Sequence, residues 1–219
     1  MANAHDLLMA QRAATMGGKP YLRRVAYLES SGTQRIDTGY SPISTSFFSV
    51  KFSVLSASYN TRWALVYGAY GNDRPTTDCQ LGFGNDGNYL RLYNRFCIDI
   101  DGNNIPDESA QLVLNTEYDV TAKKGLMVIN GENYRQTTGT TEPHPDTIHL
   151  FGSSVDVSFR YLIGRIFSWS VRDTQDGEVI KSFIPVLDLS GRPAMYDEVS
   201  GQLFHNKGTG EFVPGPNVT

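Results

Sequence analysis

The sequence predicts an all-β protein, two antiparallel sheets packed face to face, with one short helical arm ahead of them. Three observations carry this. From residue 25 onward, short runs of alternating apolar and polar residues follow one another with no helical period between them. The runs are punctuated by Gly, Asn, Asp and Pro, most sharply at Asn130-Gly131, where both residues accept the positive φ of a two-residue hairpin. The composition, 21 Gly, 12 Tyr and 11 Phe in 219 residues with 40% hydrophobic and 19% charged, fits a turn-rich sandwich and excludes a disordered chain.

The arm comes first. Ala4 to Met16 reads as a helix, capped by Asn3 and stopped by Gly17-Gly18 and Pro20. Its length is marginal for a free helix in water, so it needs a surface to pack on. That surface is either its own domain or a partner met through Leu7, Met9, Ala13 and Met16. Residues 1–24 are therefore assigned as an attachment or oligomerisation arm and 25–219 as the β domain.

Within the domain, Val25 to Ser30 and Arg35 to Thr38 form a first strand pair through Ser31-Gly32-Thr33. Phe47 to Leu55 follows, with Phe48, Val50, Phe52 and Val54 facing inward. The next four strands are Arg62 to Tyr70, Cys79 to Gly84, Tyr89 to Tyr93 and Phe96 to Ile100, with Asn94-Arg95 as a short turn between the last two. Ala110 to Leu114 and Glu117 to Lys123 lead to the hairpin of Leu126 to Ile129 and Glu132 to Gln136, and Ile148 to Gly152 comes after it. The longest run, Ile163 to Val171, alternates with Ile163, Phe167, Trp169 and Val171 on one face, and Glu178 to Pro185 pairs with it across a Gly-containing loop. Trp63 and Trp169 both fall on inner faces. The remaining chain turns at Ser190-Gly191, Ser200-Gly201 and Gly208-Thr209-Gly210, as a segment wrapping over the end of a sandwich would.

Two stretches carry a resemblance. Gly164-Arg165-Ile166-Phe167-Ser168-Trp169, Phe183-Ile184-Pro185-Val186 and the run from Met195-Tyr196-Asp197 to Phe212 resemble the carboxy-terminal half of LamG-like (concanavalin A-like) jelly-roll domains. Tyr27 to Gly39, YLESSGTQRIDTG, is similar to the opening strand pair of the same domains. The resemblance implies a jelly-roll fold from about Val25 to Val213. It also implies the settings of such domains, phage structural proteins and gut-bacterial surface proteins.

Charge and motifs narrow the chemistry. A net charge of −4 argues against a nucleic-acid binder, which needs a basic field to collect phosphates. The basic residues Arg12, Lys19, Arg23 and Arg24 face only Asp6 in the first 24 residues, so arm and domain differ in sign. No run of 18 apolar residues offers a membrane span. The amino terminus, interrupted by His5, Asp6, Gln11 and Arg12, does not read as a secretory signal. Sandwiches of this shape include glucan hydrolases, which set two carboxylates roughly 5 to 9 Å apart on one strand face. No matching acid pattern occurs here, and the nearest, Asp99-Ile100-Asp101, runs into a turn. There is no Gly-x-Ser-x-Gly nucleophile motif either. Asp99, Asp101, Asn103, Asp107 and Glu108 fail a calcium-loop test, because Asn104 and Ala110 stand where Gly and Glu are needed. His144 and His149 have no third ligand nearby for a metal. Cys79 and Cys97 lie in strand-like runs, where a small buried thiol is the expectation ahead of a bridge between them.

The expected function is that of a non-enzymatic virion structural or attachment protein, assembled in the host cytoplasm, with no cofactor. It would dock through the arm to other virion proteins or as a homo-oligomer, a trimer by preference. The alternative is a bacterial surface or secreted carbohydrate-binding lectin. Glycan binding is placed on two turns whose composition suits it, Tyr70, Asn72, Asp73 and Arg74 in one and Asn88 and Tyr89 in the other.

Overall fold

The computed structural model describes residues 18–56, 64–69, 77–85, 90–99, 110–135, 145–154 and 161–218. Their secondary structure is all strand: β1 (Tyr21–Arg24), β2 (Leu28–Ser31), β3 (Ile36–Asp37), β4 (Phe47–Val54), β5 (Ala64–Ala69), β6 (Thr77–Asn85), β7 (Leu90–Asp99), β8 (Ala110–Gln111), β9 (Glu117–Lys123), β10 (Leu126–Ile129), β11 (Glu132–Arg135), β12 (His149–Leu150), β13 (Ile163–Arg172), β14 (Val179–Asp188), β15 (Pro193–Asp197), β16 (Gln202–Phe204) and β17 (Val213–Pro214). They form two sheets. The larger runs β11-β10-β9-β4-β13-β14-β15-β16, with β1 on β14, β2 on β13 and β17 on β2, and the smaller runs β3-β12-β5-β6-β7-β8. Every ladder is antiparallel, as alternating strands with short connections require.

Between the sheets lies an aromatic core. Trp169 of β13 is 1% exposed and has Phe48, Phe183 and Tyr67 around it at ring-centre distances of 5.9, 5.6 and 6.2 Å. Phe48 and Phe183 come from the larger sheet and Tyr67 from the smaller, so this cluster joins the layers. Burying each such side chain contributes about 1.5 to 3 kcal/mol.

Three expectations change. The sheet begins at Tyr21, because β1 pairs Tyr21 with Asp188 and Arg24 with Val186, so the boundary drawn at Val25 falls inside the sheet. The turn read at Asn94-Arg95 is the middle of one continuous strand, β7. Asn94 points inward and its amide nitrogen donates to the Lys123 carbonyl in the facing sheet at 3.0 Å, which gives a buried partner to a residue that the sequence alone marks as a turn former. In β13 a bulge sets Ile166 against Phe52 and Ser168 against Lys51, so Phe167 is the extra residue. The bulge inverts the alternation, putting Ile163 and Phe167 outward while Trp169 and Val171 stay in the core. The hairpin at Asn130-Gly131 has the expected positive φ values, 49° and 91°. The helix over 4–16, with Leu7, Met9, Ala13 and Met16, lies outside the described residues, as does Trp63. Cys79 is a buried core residue.

The carboxy-terminal segment is fastened across the sandwich by one buried amide. Gln34, 2% exposed, accepts from the Ser30 hydroxyl at 2.9 Å and the Ser31 N–H at 3.0 Å, and donates to the Glu211 carbonyl at 3.1 Å. Around it, Thr209 N–H donates to the Thr33 carbonyl, Thr33 hydroxyl to the Thr209 carbonyl, and Lys207 N–H to the Arg35 carbonyl. Gly208 passes so close to the Thr33 carbonyl that a side chain there would collide with backbone. Replacing Gln34 by Ala should lower the unfolding free energy in urea by about 2 kcal/mol and make residues 205–218 the first site of limited proteolysis. A loss under about 0.5 kcal/mol with an unchanged cleavage pattern would contradict this role.

Candidate functional site

The fastening leaves a cleft at one side of the sandwich, between the edge strand of each sheet. β3 is the edge of the smaller sheet and β16 the edge of the larger. Asp37 ends β3 and takes the Gly39 N–H on its Oδ1 at 2.9 Å, and Gly39 turns the chain away with φ of +67°. Opposite, Leu203 and Phe204 of β16 form an apolar wall, and the chain continues through His205, Asn206 and Lys207. These residues enclose about 350 Å³. A second depression of about 210 Å³, bordered by Arg192, Glu211 and Phe212, lies on the other side of the His205-Asn206 ridge.

Each lining residue has a distinct task. Asn206 is scaffold, since its Oδ1 accepts from the Arg35 and Gly208 N–H groups and its Nδ2 donates to the Gly210 carbonyl. Phe204 is fixed by an edge-on contact with Phe183 at 4.9 Å and by the Lys181 ammonium 5.3 Å from its ring centre. Lys181 is held in turn by Asp197, a fully buried carboxylate 3.0 Å away. Asp197 also accepts from Ser182 N–H, Val199 N–H and the Ser200 hydroxyl. Behind Arg192 and His205 of the second depression, buried Asp188 accepts from Ser190 N–H, Arg192 N–H and the Arg192 guanidinium, with the His205 imidazole 3.8 Å away. The titratable groups lining the larger cleft are Asp37, Lys207 and His205, whose imidazole also reaches toward Asp188. Lys207 makes no ion pair among the described residues.

Burial works to raise the Asp37 carboxyl, but the Gly39 N–H, the Thr147 side chain, His149 and Lys207 outweigh it and keep the group below the usual carboxylate value. It is therefore an ionised acceptor at neutral pH. His149, across the ladder from Asp37 with Nε2 3.7 Å from its Oδ1, goes the same way for a different reason. Burial pushes its imidazole down, and the nearby Asp37 only partly restores it. Among the described residues no group of three His, Cys, Asp or Glu side chains could hold a metal ion.

The turns expected to bind glycan, with Tyr70, Asn72, Asp73, Arg74, Asn88 and Tyr89, lie outside the described residues, as do Asp101, Asn103 and His144. The cleft residues were missed by sequence reasoning. Their signals were present in Asp37-Thr38-Gly39, a turn closing a strand, and in the polar triplet His205-Asn206-Lys207 before a Gly-rich turn. Neither indicates that residues 168 positions apart share a cavity.

No protein-family model matches the chain, and no curated protein matches it. Solved structures do. One is a crystal structure of a protein from Bacteroides ovatus, provisionally described as carbohydrate binding, with 13% identity and a TM-score of 0.55 over 90% of this chain and 62% of that one. The fold is shared. Another is the native heptameric SAP-like pentraxin from Limulus polyphemus, with 11% identity and a TM-score of 0.47 over 69% of this chain and 77% of the other. This chain thus spans 62% of the length of the Bacteroides protein.

The Asp197 carboxyl gives a pH test of the wall behind Phe204. Burial raises its pKa, yet the Ser182 N–H, Ser200, Lys181 and Val199 N–H bring it below the ordinary 3.8. A depressed carboxyl contributes stability above its unfolded value, and that stability is lost as pH falls through the folded value. Asp197→Asn should therefore cost about 3 kcal/mol at pH 7, with the gap to the unaltered protein narrowing below pH 3.8. Denaturant curves at pH 7 and pH 3 measure this, and a gap that does not narrow would contradict it.

Proposed function

We propose that this chain is a non-catalytic jelly-roll module, LamG-like in fold, that holds a saccharide in the cleft between β3 and β16. The observation that carries this reading is the lining of that cleft. A sugar ring presents an apolar face of C–H groups and a rim of hydroxyls. Leu203 and Phe204 suit the first, and the Asp37 carboxylate, His205 imidazole and Lys207 ammonium suit the second. The fold shared with a protein provisionally described as carbohydrate binding supports the same class.

The non-catalytic part of the proposal rests on Asp37. A glycosidase needs one carboxyl held protonated near neutral pH beside a second that is ionised. Asp37 is shifted the opposite way, and its Oδ1 takes the Gly39 N–H. We favour the lectin reading over a virion role, because the cleft lining and the shared fold both speak for a saccharide ligand.

A glycan array followed by titration calorimetry tests the proposal. Lys207→Ala should weaken the best saccharide about tenfold, the value of one hydrogen bond to a charged group, and Lys207→Ala with Asp37→Asn should abolish measurable binding. Both variants should still melt cooperatively. Unchanged affinity in the double variant would refute the site, and reducing-sugar release from a bound glycan would refute the non-catalytic assignment.

A further inference from the structure

We propose that the cleft is gated by protons through His149, whose protonation releases the edge strand β3 that carries the cleft's acidic wall. The proposal rests on the reading of that cleft as the binding site and names its regulation.

His149 occupies the second strand of the smaller sheet, paired with Asp37 of β3 on one side and Gly68 of β5 on the other. Its neighbour Leu150 belongs to the core, so the imidazole projects from the opposite face of the strand. The residue is nonetheless 8% exposed, and Nδ1 is buried without a hydrogen-bond partner among the described residues. Nε2 stands 3.7 Å from Asp37 Oδ1, which is too long for a hydrogen bond. A neutral imidazole tolerates this setting with one unused acceptor. An imidazolium does not, because both nitrogens then carry hydrogens and one of them points into a buried place with nothing to receive it.

The charged neighbours do not reverse this. Asp37 on β3 and Asp146 on the approach to β12 favour the cation, while Arg35 ahead of β3 and Lys207 from the carboxy-terminal segment oppose it. Toward the rest of the sheet, Gly68 on β5 has no side chain and Gln80 on β6 is neutral. Burial then decides, and the imidazole is pushed below its ordinary 6.5.

A neutral-buried histidine couples opening to pH. The closed strand takes up the proton below 6.5, whereas an opened strand takes it up at 6.5, so the opening equilibrium grows as pH falls through 6.5 by at most about tenfold per unit. The element that opens is small. β3 has two residues, is paired within its sheet only with β12 among the described residues, and carries Asp37 next to the turn at Gly39. Lys207 is tied to the same stretch through the Arg35 carbonyl, so release of β3 loosens both polar groups of the cleft together.

Amide hydrogen exchange on the full chain without ligand, read by mass spectrometry at pH 7.5, 6.5 and 5.5 and corrected for intrinsic rates, tests this. The opening constant in peptides covering 35–40 and 203–209 should rise at least about threefold between pH 7.5 and 5.5, with peptides from β13 and β14 unchanged. His149→Gln should remove the rise and His205→Gln should keep it. Where His149→Gln does not fold, an NMR titration of the unaltered protein substitutes for it, and the His149 ring should titrate below 6.5 in step with the Asp37 amide. No rise in the unaltered protein, a rise that persists in His149→Gln, or a His149 ring that titrates at or above 6.5 would overturn the gate. Because no sugar is present, these outcomes are independent of whether the cleft binds one.

Discussion

A buried amide at the centre of a set of hydrogen bonds ties the β2–β3 turn to the carboxy-terminal segment. Gln34 uses its oxygen to hold the β2–β3 turn and its nitrogen to hold the carbonyl of Glu211. A carboxylate in its place would lose the donor, and an apolar side chain would lose both. The amide joins the stretch 27–39 to the run 195–212, and the bare backbone of Gly208 against Thr33 permits the approach. The side of the cleft formed by residues 205–207 depends on it and on the bonds around it. Arg35 and Asn206 come into register, Lys207 is laid beside β3, and the gap between the edge strands acquires a floor.

The rest of the sandwich makes that junction rigid. Trp169, Phe48, Tyr67 and Phe183 bind the layers together, and Phe212 is drawn into the core against Phe151 at 4.7 Å. Phe151 adopts a φ of 65°, rare for a bulky residue, with its N–H bonded to the Val66 carbonyl and its carbonyl to the Leu162 N–H. Such a conformation costs about 1 to 3 kcal/mol and persists because packing on both sides determines it. On the other side of the cleft, the chain of contacts from Asp197 through Lys181 to Phe204 and Phe183 locks the apolar wall. A preformed wall loses little entropy when a ligand docks.

Much of the fold was legible in the sequence, because a strand with one buried face writes its period into the residues. The all-β class, the alternation in β4, the Asn130-Gly131 hairpin and the burial of Trp169 all followed from local pattern. What local pattern could not show were the places where tertiary contacts override it. Asn94 looked like a turn because a polar residue in mid-strand is unfavourable unless something across the core receives it. Phe167 looked inward because a bulge leaves no mark on composition. The cleft was the least legible part, since Asp37 and Lys207 become neighbours only through the Gln34 junction and a register that no short window contains.

The place where a saccharide sits distinguishes the cleft from the Gly/Asn-rich turns. Amide chemical-shift mapping of the full chain, titrated with the saccharide ranked first on a glycan array, measures this directly. The expected result is that the amides of Gly39, Phe204, His205 and Lys207 move together along one saturation curve. Shifts concentrated in residues 70–74 and 86–89, with those four amides unmoved, would contradict it.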